Sequence, residues 1–102
     1  MNNQIWKYTV PLKPLEEFQL EVVKGAGEIH FELVNGDIWM WFIVDTDEPE
    51  RETRYFTVEG TGQKMVKDYP ANYGYYASHL ATFIQAPFVW HLFEHWPDEE
   101  DE

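Results

Sequence analysis

The sequence predicts a mainly β fold of about seven short antiparallel strands, arranged as a sandwich or a small barrel. Three observations predict it. Segments along the whole chain alternate apolar and polar residues with the period of two that a half-buried strand requires. Asn35-Gly36 stands between two such segments, which is the strongest short-range hairpin signal because both central residues of the turn need positive φ. No heptad, long amphipathic helix or internal repeat interrupts this pattern.

Residues 5–10 form the first predicted strand, with Trp6, Tyr8 and Val10 on one side, and Pro11 and Pro14 end its ladder. The second starts at Glu17, with Phe18, Leu20 and Val22 inward and Glu17, Gln19 and Glu21 outward. Lys24-Gly25-Ala26-Gly27 is the flexible turn into the central hairpin over residues 28–45. A two-residue loop there pairs Val34 with Asp37 and then, on the face expected to be core, Leu33 with Ile38, Phe31 with Met40 and Ile29 with Phe42. The opposite face carries Glu32 against Trp39, His30 against Trp41 and Glu28 against Ile43. If the second and third strands are neighbours, as sequential strands usually are, Glu21 falls beside His30 and Gln19 beside Glu32.

After the acidic turn at 45–50, residues 51–58 resume the β pattern with Phe56 and Val58 inward and Tyr55 and Thr57 outward. Gly60-Thr61-Gly62 ends that strand, and a long tyrosine-rich loop follows, in which a short helical turn fits. Residues 79–85 and 88–95, joined at Ala86-Pro87, are the last two strands, and the second of them, apolar on both faces, reads as central. The expected organisation is one β domain over residues 1–97 and a disordered acidic tail over 98–102.

Nineteen acids against seven bases give a net charge of −12, and without the terminal acidic run the balance is still fourteen to seven, or −7. Direct nucleic-acid binding is disfavoured, since it rests on basic charge that releases counterions; a partner with a basic surface is favoured instead. There is no cysteine, hence no disulfide framework and no thiolate metal site. No run is long and apolar enough to span a bilayer, and residues 1–8 lack the basic and apolar regions of a signal peptide. A cytoplasmic protein with no membrane partner is expected.

Ile5-Trp6-Lys7-Tyr8 with Pro11, Gly25-Ala26, Asn35-Gly36, Trp41, Val44-Asp45, Glu52-Thr53-Arg54, Gly60-Thr61-Gly62, Thr82-Phe83 and the run from Val89 to Glu94 occur in an order that resembles a family of short proteins encoded mostly by bacteriophages and prophages, a domain of unknown function. The resemblance covers most of residues 5–94 and implies a phage origin and a bacterial host, and it supplies no activity. The chain departs from the pattern at 63–78 and in its tail.

Candidate chemistry is sparse. His91 and His95 lie about 13 Å apart along a strand, unlike the single helical face of a helix-borne zinc motif, and they, His30 and His79 predict no metal site. Asp45, Asp47, Glu48 and Glu50 lack the glycine and spacing of a calcium loop. Glu21 beside His30 is the nearest approach to an acid–base pair, without a nucleophile or oxyanion motif, so no catalytic residue and no cofactor are expected. The two glycine turns lack the helix and lysine of a phosphate-binding loop.

The aromatics carry the functional expectation. Glu21, His30, Glu32, Trp39, Trp41, Tyr55, Tyr69, Tyr73, Tyr75 and Tyr76 are the candidate partner-binding residues, with the alternative that a second sheet covers Trp39 and Trp41 and makes them core. The leading expectation is a small acidic binding protein that inhibits a host protein, such as a CRISPR effector or another nucleic-acid enzyme, with nucleic-acid mimicry as one form. A second is a sponge for a nucleotide-like signalling molecule, whose phosphates would have to meet Arg51, Arg54, Lys64 and Lys67. A third is an accessory phage protein that pairs as a homodimer through edge strands or the Trp face.

Overall fold

The computed structural model describes residues 1–69 and 73–96. Among the described residues there are seven strands: β1 (Asn3–Pro11), β2 (Glu17–Val23), β3 (Gly27–Val34), β4 (Asp37–Asp45), β5 (Arg51–Gly60), β6 (Ala77–Gln85) and β7 (Phe88–His95). A 3-10 turn over Tyr73–Tyr75 stands in the long loop, where the sequence leaves room for it. The strands form two antiparallel sheets, ordered β1-β4-β3 and β2-β5-β7-β6, and neither closes into a barrel. The chain divides into two compact units, Met1–Leu12 with Leu20–Thr53 and Lys13–Gln19 with Arg54–Glu102; β2 and β5 contribute residues to both. The acidic tail, 98–102, lies outside the described residues.

In the first unit the Asn35-Gly36 turn sets the register. Asn35 (φ 50°) and Gly36 (φ 84°) both occupy the left-handed region, which a glycine adopts without steric cost and which asparagine tolerates. The pairs Val34–Asp37, Leu33–Ile38 and Phe31–Met40 form as the turn dictates. One pair further on, a bulge intervenes: Glu28 faces Phe42 and His30 faces Trp41, so Ile29 has no partner and is 49% exposed. The expected Ile29–Phe42 and Glu28–Ile43 pairs are therefore replaced, the latter by Gly27–Ile43. On the core face Ile38, Met40, Phe42 and Val44 are buried, with Tyr8 edge-on to Phe42 at 5.3 Å.

The expected neighbourhood of β2 and β3 does not form: β2 lies beside β5 in the four-stranded sheet, and β3 pairs with β4. The end of β2 is claimed by the chain before β5, since the Lys24 amide donates to the Glu50 carbonyl and the Gly25 amide to the Glu52 carboxylate. Consecutive burial of Val22 and Val23 breaks the alternation there, so the 24–26 turn is a crossover and not a hairpin. Glu21 and His30 consequently belong to different sheets.

In the second unit β7 is central, between β5 and β6, as its two apolar faces require. Phe18 stacks on Phe56 at 5.1 Å, and Val58, Leu92 and Trp90 are buried on the same side. Arg54 reaches across this face to Glu94 in a bidentate ion pair, with Nε and Nη2 at 2.6 and 2.5 Å from the two carboxylate oxygens. The opposite face was expected to be wet, yet Thr57 is fully buried there. Residues 63–69 lie across it: the amides of Val66 and Lys67 donate to the Glu59 carboxylate at 2.8 and 3.2 Å, and Tyr69 sets its ring against Phe93.

Removing one partner of the Arg54–Glu94 pair strands a buried charge. Glu94→Ala should lower the unfolding free energy by about 3 kcal/mol in denaturant titration, whereas Arg54→Met with Glu94→Leu should recover most of that loss.

Candidate functional site

The outward face of β1-β4-β3 gathers the groups best placed to meet a partner. Strict alternation along β4 puts Trp39, Trp41 and Ile43 on the side opposite Ile38, Met40, Phe42 and Val44. The tryptophans therefore lie on the side of β4 away from its fully buried residues. Both are half-buried, screened by their own row neighbours. Across the sheet the rows read Lys7, Trp41, His30 and Thr9, Trp39, Glu32, with Ile5 beside Ile43 one row further on. The Trp39 and Trp41 rings meet at 6.0 Å and 63°, and His30 lies tilted against Trp41 at 5.3 Å. Lys7 Nζ stands 3.8 Å above the centre of the Trp39 ring.

Around the rings lie apolar groups that water covers. Ile5 is 62% exposed and Ile43 43% exposed. Acidic residues mark the margins: Glu32 opposite Trp39, and Asp37 and Asp45 at the two ends of β4. Backbone amides of Asn2 and Asp47 donate to the Asp45 carboxylate and hold its pKa below the ordinary value. The face thus has an apolar centre and a charged margin.

Lys7, Ile5 and Ile43 were not among the expected site residues. The alternation of residues 5–10 already puts Ile5, Lys7 and Thr9 on the side away from Trp6, Tyr8 and Val10, but only the pairing of β1 with β4 places them beside the tryptophans. Of the residues that were expected, His30, Glu32, Trp39 and Trp41 come together here, and Glu21 does not. Tyr55 and Tyr69 are half-buried in the second unit, where each sets its ring against His95, at 5.9 and 6.4 Å. Tyr75 and Tyr76 are exposed beside the 3-10 turn, and only the backbone of Tyr73 falls within the description.

The remaining histidines enter local polar contacts. Thr61 Oγ1 is 2.7 Å from His91 Nε2, and Thr82 Oγ1 is 3.0 Å from both His91 Nδ1 and His79 Nε2. His95 Nε2 is 3.3 Å from a Glu17 carboxylate oxygen. Partial burial, together with the nearby His91, pushes the His79 pKa below 6.5. In the acidic turn Glu48 caps the Glu50 amide and Glu50 pairs with Lys24. Among the described residues no three His, Asp or Glu side chains converge as metal ligands would.

The chain is a small, mainly β scaffold with two tryptophans side by side on one sheet. The chain belongs to the DUF7352 family, a domain of unknown function, whose model matches residues 1–102. No curated protein and no solved structure matches the chain.

Adjacent residues of β4 should separate stability from binding. Phe42→Ala should cost about 4 kcal/mol of stability by leaving a cavity, and Trp41→Ala only about 1 kcal/mol, both read from denaturant midpoints. Because the His79 pKa is depressed in the folded state, its contribution is present above pH 6.5 and lost as pH falls through the folded value. His79→Gln should flatten that acid-side decline in thermal unfolding followed across pH.

Proposed function

We propose that this chain is a non-catalytic binding protein that docks on the basic surface of a partner protein through the Trp39–Trp41 face. The observation that carries the reading is the placement of two tryptophans and exposed isoleucines on the side of β4 away from the core. Tryptophan is among the residues that most often dominate binding energy at interfaces. The net charge of −12 supports a basic partner, since opposite charge steers encounter and raises the association rate.

The narrower reading is that the protein is phage-encoded and blocks a bacterial host protein, such as a CRISPR effector or another nucleic-acid enzyme, by occupying a basic groove. Its support is the resemblance carried by residues 5–94 and the acidic charge. A nucleotide sponge has less support, because three of the four cations it requires are engaged: Arg54 by Glu94, Arg51 by the carbonyls of Glu48 and Glu50, and Lys67 near Glu17.

Immobilised chain exposed to bacterial lysate at about 0.1 M salt should retain one protein stoichiometrically and release it as salt rises. Trp39→Ala and Trp41→Ala should each weaken retention by about 30-fold or more, while Tyr75→Ala should not. Added nucleic acid should compete if mimicry operates. Undiminished retention by both tryptophan variants would overturn the assignment of the face.

A further inference from the structure

The face already holds a cation on one of its rings. Lys7 sits opposite Trp41 in the ladder, yet its ammonium lies over the neighbouring ring, 3.8 Å from the Trp39 centroid. That is well inside the roughly 6 Å at which a ring quadrupole attracts a cation. Lys7 is exposed and, among the described residues, forms no salt bridge, although Glu32 lies in the same row as Trp39. Glu32, Asp37 and Asp45 surround the same face and add negative potential to it.

Resting on the reading of this face as a docking surface, we infer that Trp39 is a cation-binding subsite, that Lys7 fills it in the free protein, and that an arginine or lysine side chain of the basic partner takes the place of Lys7 on docking. An exposed cation–ring contact is weak, so it yields readily to a competitor. A planar guanidinium, less strongly hydrated than an ammonium, stacks better on an indole, which favours arginine as the incoming group. The displaced Lys7 ends a flexible stem and moves into water. Lys7 therefore acts as a placeholder: it covers the ring in the free protein and subtracts from the partner's affinity by the strength of its own contact.

Calorimetric titration of a tetra-arginine peptide into the full chain, at fixed ionic strength, tests this. Lys7→Met should bind the peptide about two- to fivefold more tightly than wild type. Lys13→Met removes the same charge away from the tryptophan face and should tighten binding far less. Adding Trp39→Leu to Lys7→Met should abolish the gain. Equal tightening by the two methionine variants, a gain that survives Trp39→Leu, or no binding by any form would each overturn the subsite. None of those results bears on whether Trp41→Ala releases the partner captured from lysate, so the docking face can stand while the subsite falls.

Discussion

β4 is hydrogen-bonded along both edges, to β1 over Asp37 to Asp45 and to β3 over most of the same length. With both ladders in place its side chains can point only up or down, and a slip of one residue would exchange the two sets. The set Ile38, Met40, Phe42 and Val44 is buried because it is the one that loses most by meeting water. Its complement, Trp39, Trp41 and Ile43, is then obliged to face outward whatever its own hydrophobicity. The aromatic face is thus fixed by the same register that fixes the core, and the Asn35-Gly36 turn, through its two positive φ angles, sets that register.

Local chemistry was the legible part of the fold. The turn residues, the strand periods and the apolar character of β7 each depend on neighbours close in sequence, and each leads to the right element. Legibility fails where a decision depends on distant chain. The bulge between Glu28 and His30 has no glycine or proline at the inserted residue to mark it, and the departure of β2 from β3 is decided by hydrogen bonds from residues 24 and 25 to residues 50 and 52. The site divides in the same way. His30, Glu32, Trp39 and Trp41 share a face through one hairpin and can be found from sequence, whereas Lys7 joins them only through the long-range pairing of β1, and Glu21, assigned by assumed adjacency, goes to the other sheet.

The two units use polar side chains differently. In the second unit such groups serve internal order: Arg54 and Glu94 satisfy each other in the interior, Glu59 receives two loop amides, and Thr61, Thr82, His79 and His91 form a continuous run of hydrogen bonds. Both nitrogens of His91 and one of His79 lie within hydrogen-bond distance of threonine hydroxyls, which leaves these two histidines poorly placed to ligate a metal. On the Trp39–Trp41 face the polar groups stand instead at the margin of an apolar centre.

Glu59 holds a loop by its side chain. By accepting the Val66 and Lys67 amides it tethers the chain just ahead of the tyrosines with a side chain, not with a ladder. The attachment of residues 66 and 67 is thereby separate from the backbone ladder that joins β5 to β7. Replacing Glu59 by a side chain without an acceptor would loosen that attachment while the ladder, made by backbone groups, stays in place.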